Sequence, residues 1–204
     1  MAAIASLQPL LDQRRLWRGQ PTPRPASNEP SGHAELDAAL PCGGWPEAAL
    51  TELLLPADGV GELRLLLPTL ARHTQAGRDI ALVAPPYLPF PSAWIAAGVD
   101  FRHVHIVEAE PRQALWASEQ CLRAGCLSAV LCWPRSPDDK ALRRLQVAAE
   151  SGHALGFVFR DQRAARNASP AALRLQVEAG QLRVLKCRGA LAPTRPIPFA
   201  HVSH

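Results

Sequence analysis

Lysine is nearly missing from this chain: its 22 basic side chains are 20 arginines and only Lys140 and Lys186. Cysteine is sparse as well, with five residues (Cys42, Cys121, Cys126, Cys132 and Cys187), an odd number with no C-x-x-C spacing and no paired Cys/His arrangement. That pattern excludes a disulfide framework and a zinc site and leaves buried free thiols as the simplest reading. Long apolar runs do not occur. The longest, residues 48–55, is interrupted by Thr51 and Glu52 and falls far short of the ~18–20 residues that cross a bilayer, which argues against a transmembrane span. At the N-terminus the basic residues follow the apolar ones, the reverse of a secretory signal, so a cytoplasmic location is expected.

What the chain does contain is ordinary globular composition: 204 residues, 48% hydrophobic and 20% charged, enough for one domain plus a short appendage. The net charge of +4 and pI near 9.1 fit a nucleic acid or an acidic partner. They fit equally a coding bias that replaces lysine with arginine, which is the simpler account.

Spacing divides the chain into four parts. Residues 1–18, with Ile4, Leu7, Leu10, Leu11 and Trp17 three to four apart, predict an amphipathic helix. Residues 19–30 carry four prolines in twelve positions and predict a linker. From residue 31 to 190 strand and helix patterns alternate, the mark of an α/β domain with a mostly parallel sheet and crossover helices. Strands are expected at 50–55, 80–84, 104–107, 127–133 and 154–159. Helices are expected at 62–73, where Pro68 must kink the helix or be accommodated, and at 91–97, 111–124 and 137–150. Residues 173–177 and 182–186 read as an antiparallel hairpin across Glu178–Gln181. Residues 191–204 read as an extended, loosely packed tail.

The loop after the first strand, Pro56-Ala-Asp-Gly-Val-Gly61-Glu62-Leu63, sits where a phosphate-binding loop would lie in such a fold. That loop needs G-x-x-x-x-G-K-[ST], because backbone amides cradle phosphate while lysine and a hydroxyl meet the terminal oxygens and magnesium. Here only the second glycine survives. Glu62, in place of the lysine, repels an anion at a helix N-terminus otherwise suited to one, and it also serves the helix dipole as an ordinary first-turn acid.

The run Ser31-Gly-His-Ala-Glu-Leu-Asp-Ala-Ala-Leu-Pro-Cys-Gly-Gly-Trp-Pro46, followed by Ala49-Leu-Thr-Glu-Leu53, resembles the opening of the RecA-like recombinase core. Ala97–Asp100, Gln113–Leu115, Leu122–Gly125, the strand at 127–133 and Ala172–Val177 follow that core in order, over residues 31–188. The resemblance implies a RecA-like core with a C-terminal antiparallel hairpin. It also implies that the ATPase parts are lost: besides Pro56, Glu62 and Leu63, Pro86 stands where the activating glutamate belongs and Trp133 where the magnesium-linked aspartate belongs. The first DNA-binding loop has no room between Trp133 and Pro137, and Arg160–Pro170 is a shortened stand-in for the second. No catalysis, nucleotide, cofactor or metal is therefore expected.

Gly43–Pro46, Gly59–Leu67 and Val184–Gly189 look most like the ImuA family. That resemblance implies a non-catalytic adaptor of SOS-inducible translesion synthesis. Its implied partner is an ImuB-like Y-family polymerase homologue, with RecA and an error-prone replicative-type polymerase as further candidates. SulA-type division inhibitors, which bind the tubulin-like FtsZ, share the same degenerate core and are the alternative.

Three other groups carry chemistry in principle. Arg160, Arg163 and Arg166 recur on a loop at the end of a strand, where open α/β folds place ligands. They are candidates for DNA phosphate or an acidic partner, or form a plain solvated loop, since no aromatic lies among residues 160–170 to stack on bases. Leu7, Leu11 and Trp17 are candidate anchors for a partner groove, for the chain's own domain or for a second copy. His103 and His105 flank Val104 without an evident third metal ligand and read as surface histidines.

Overall fold

The computed structural model describes residues 27–199. An eight-stranded sheet runs through the molecule in the order β3-β2-β4-β5-β1-β6-β7-β8. Its strands are β1 Ala49–Leu55, β2 Asp79–Val83, β3 Val104–Val107, β4 Leu127–Cys132, β5 Leu155–Asp161, β6 Leu173–Glu178, β7 Gln181–Cys187 and β8 Ile197–Pro198. The pairings from β3 across to β6 are parallel and the last two antiparallel. This is the mixed α/β architecture expected, with the C-terminal hairpin extended by one strand.

Among the described residues five α-helices cover the two faces: α1 Ala34–Ala39, α2 Glu62–Gln75, α3 Pro91–Ala96, α4 Ala114–Arg123 and α5 Asp139–Gly152. On one face Leu65, Leu66 and Leu70 of α2 join Leu36, Trp45, Leu53 and Phe157. On the other, Leu122 of α4 and Leu142, Leu145 and Ala149 of α5 pack on Leu50, Val130 and Val158. β1 is buried at all seven positions, as a central parallel strand covered on both faces must be.

Several expectations are refined. α2 runs unbroken through Pro68, and Gly32, at φ +85°, lies against that ring, where a Cβ would sit 2.4 Å from the Pro68 Cβ. α4 begins three residues after Pro111 and α5 two residues after Pro137, where the Asp138 side chain accepts a hydrogen bond from the Ala141 amide. The end of the linker is not free. Ser27 donates its amide to the Cys42 carbonyl, the Trp45 amide donates to Glu29, and the Glu29 carboxylate meets Arg72, His73 and Arg78. Nor is the tail loose: Ile197 and Phe199 are buried and β8 pairs with β7. No described helix is long and apolar enough to cross a membrane.

Candidate functional site

Parallel strands that share a direction deliver their following loops to one edge of the sheet, and open α/β folds place ligands there. In this chain the loops after β1, β2, β3 and β4, with the end of β5, frame a crevice of about 610 Å³. Pro85, Pro86 and Leu88 form one wall, Trp133 and Pro134 another, and Asp58 stands at the mouth. Trp133 lies flat on Phe159, with ring centroids 4.3 Å apart and planes within 5°. Its indole Nε1 is buried without a hydrogen-bond partner among the described residues. An aromatic and proline lining of this kind suits apolar contact.

The loop from β1 to α2 holds the residues that depart from the phosphate-loop pattern. Gly61, at φ +88°, caps α2 and turns the chain so that Glu62 enters the first turn. The Glu62 side chain folds inward, Oε1 accepting a hydrogen bond from the Gly59 amide at 3.2 Å. Oε2 is buried without a partner among the described residues. A backbone donor that could greet an anion thus faces the chain's own carboxylate, and Leu63 packs against the core instead of offering a hydroxyl. Pro56 and Pro86 are exposed on the loops that follow β1 and β2.

Beside the crevice lies a buried charge cluster. Glu52, fully buried in the middle of β1, accepts from the guanidinium of Arg160 on β5 through Oε1 and from that of Arg174 on β6 through Oε2. Arg160 also donates to the Pro137 carbonyl at 3.1 Å. Arg174 donates to the carbonyls of Ala164 at 2.9 Å and Asn167 at 3.0 Å. One carboxylate therefore joins three adjacent strands and, through the two arginines, holds the loops after β4 and β5, the first of which rims the crevice while the second lies beside it.

This arrangement divides the candidate arginines. Because β5 extends through Asp161, Arg160 is a sheet residue whose charge is paired with Glu52. Arg163 is exposed, with its amide donating to Asp161 at 2.7 Å, and Arg166 is also exposed. Pro86, Trp133 and Arg160 come together at the crevice; Leu7, Leu11 and Trp17 lie outside the described residues. His103 and His105 converge on Asp79, at 2.8 and 3.5 Å. The hydrogen bond from His103 leads the contacts that hold the Asp79 carboxyl below its ordinary value. Among the described residues no group of three or more His, Cys, Asp or Glu is placed to hold a metal.

Sequence reasoning missed Glu52 and Arg174. The signal for Glu52 was present, a carboxylate inside the apolar run Ala48–Leu55, since a charge so placed in a central strand must be paired. Arg174 gave no such signal, because alternation in Leu-Arg-Leu-Gln-Val assigns it to an open face.

Fold and site together define an open α/β protein whose strand-end crevice sets an aromatic and proline wall beside exposed charged residues. The family described as cell division inhibitor SulA matches residues 49–156, over half of the chain, and the chain belongs to that family. It is 31% identical over 113 residues to the cell division inhibitor SulA of Photorhabdus laumondii, a match that covers 54% of this chain and 63% of that protein. The crystal structure of SulA from Pseudomonas aeruginosa is similar at 28% identity and a TM-score of 0.46, over 56% of this chain and 98% of that one.

Proposed function

We propose that this SulA-family chain is a non-catalytic, RecA-like protein-binding module that serves as an adaptor in SOS-associated translesion synthesis, with an ImuB-like polymerase homologue as its main partner. The observation that carries the non-catalytic part is Glu62: its carboxylate occupies the Gly59 amide at the position from which a lysine would reach phosphate. Pro86 and Trp133, in place of the acidic residues of an ATPase, support the same reading.

The adaptor role is supported by what lies outside the family match. Gly43–Pro46 and Val184–Gly189, two of the three segments that carry the ImuA resemblance, lie in ordered parts of the domain, the first around the buried Trp45 and the second along β7 and its end. Binding in this reading is a matter of preorganisation. Glu52, through Arg160 and Arg174, holds the loops after β4 and β5 in place before any partner arrives, so little ordering cost remains at the moment of association.

A second reading, inhibition of cell division through FtsZ, is favoured by the family match and by the name of the Photorhabdus relative. A parallel pull-down of the purified chain against an ImuB-like polymerase homologue, RecA on single-stranded DNA, and FtsZ separates them. The adaptor reading expects retention on the first or second bait and none on FtsZ; retention on FtsZ alone, with its polymerisation blocked, replaces it with the second reading. Calorimetry showing micromolar ATP affinity would overturn the non-catalytic assignment.

A further inference from the structure

The crevice has a charge pattern that its role in the fold does not use. Asp58 and Glu108 are exposed on its lining and have no ion-pair or hydrogen-bond partner among the described residues. Asp161 adds a third carboxylate, in loose contact with Arg163 at 4.0 Å. Of the two lining arginines, Arg160 shares the Glu52 carboxylate with Arg174, a buried trio with one positive charge in excess, and Arg135 has no ion-pair partner among the described residues. The wall continues outward into Tyr87, Leu88 and Phe90, each about 70% exposed, large apolar side chains that lie close together in sequence and can take a partner's apolar groups. The two unpartnered carboxylates, Asp58 and Glu108, together with this apolar wall, suit an occupant that sets cations on either side of an apolar anchor.

The chain itself contains one such sequence, Arg14-Arg15-Leu16-Trp17-Arg18. We propose that this segment is the crevice's occupant, with Leu16 and Trp17 against the Pro86, Leu88 and Trp133 surface and the arginines opposite Asp58 and Glu108. Reach allows it. Ser27 is fixed ahead of β1 by hydrogen bonds with Cys42 and Trp45, and the Pro86–Trp133 wall lies beyond the far end of β1 and two to three strands to its side, ~25–27 Å away at about 3.3 Å per residue and 4.8 Å per strand, within the ~33 Å that ten residue steps from Trp17 can span. A tether of matching length holds the segment at a local concentration in the millimolar range, so modest affinity suffices to keep the crevice covered. The inference is independent of which partner the adaptor or inhibitor binds.

The test uses the full-length chain and a fluorescein-labelled synthetic peptide of residues 11–20, followed by anisotropy. In the wild-type chain the tethered segment competes with the peptide; in Trp17→Ala it does not, and the peptide binds at least tenfold more tightly. Adding Asp58→Asn and Glu108→Gln to Trp17→Ala weakens peptide binding at least tenfold. Both acids are exposed and unpartnered, so thermal midpoints of all variants stay together and loss of folding cannot imitate the result. Equal affinity for the wild-type chain and Trp17→Ala, or an affinity indifferent to D58N/E108Q, overturns the proposal. A concentration-dependent dimer that Trp17→Ala abolishes overturns the tethered form in favour of exchange between two copies.

Discussion

Two carboxylates organise the basic side chains of this protein, and they do so in opposite surroundings. Glu52 is fully buried between Arg160 and Arg174, whose side chains are themselves almost wholly enclosed. Glu29 gathers Arg72, His73 and Arg78 near the surface, with Arg72 and Arg78 substantially exposed. The first joins three strands of the sheet; the second fastens the end of the linker to the last turns of α2. A buried hub is costly to break because its orphaned partners cannot reach water, whereas a surface hub is cushioned by solvent.

The sharpest way to break this contrast is Glu52→Ala, which leaves two guanidiniums unpaired in the core and should cost about 3–5 kcal/mol in urea unfolding. Replacing all three charges, with Glu52→Leu, Arg160→Met and Arg174→Met, should recover most of that loss. A cost below about 1 kcal/mol for Glu52→Ala would show that the arginines find water, and the contrast would fall. Next in size, Arg174→Ala releases the carbonyls of Ala164 and Asn167 while Arg160 still pairs with Glu52. A loss of roughly 2–3 kcal/mol is expected, for a buried charged contact and freed acceptors together, with faster amide exchange confined to residues 162–167.

Glu29→Gln belongs to the solvent-cushioned class and should cost about 1 kcal/mol. Its signature is in the pH dependence. Burial pushes the Glu29 carboxyl up, but hydrogen bonds from His73, Arg72 and Arg78 outweigh it and hold the group at about 2, against an ordinary value of 4.5. A carboxyl lowered on folding stabilises the folded state above its unfolded pKa, and that contribution drains away as pH falls from about 4.5 towards 2. Glu29→Gln should flatten this part of the acid-denaturation curve, and an unchanged acid limb would remove Glu29 from the account. Smallest of all, Arg163→Ala with Arg166→Ala should stay within about 0.5 kcal/mol of wild type. If these exposed arginines touch DNA phosphate, the pair should flatten the salt dependence of single-strand binding.

The same contrast explains how far the sequence could be read. Strands such as Ile80–Val83 and Leu127–Cys132 are continuous apolar runs between turn residues, so their place in a buried parallel sheet follows from composition and length. Glu62 and Trp133 were legible as losses because the chemistry they replace has fixed spacing. Arg160 was read as the first residue of a loop because the sequence turns polar there; only pairing with β1 down to Asp161 keeps it in the sheet. Glu29 and Arg174 draw their roles from partners 44 and 122 residues away, separations that no local pattern encodes. Phe199 was assigned to a loose tail for the same reason, since its burial depends on contacts made far from it in sequence.

The position of β1 sets a timetable for synthesis. Its two neighbours are β5 and β6, so the strand at residues 49–55 waits for residues 155–161 and 173–178 before it is paired on either side. Until then a wholly apolar strand with one lone carboxylate has no hydrogen-bonded partner, and closing such long loops is slow. The nascent chain is thus a substrate for proteases and for aggregation until most of it has left the ribosome. A product stopped anywhere before residue 155 lacks both partners of its central strand, so this fold tolerates almost no premature termination.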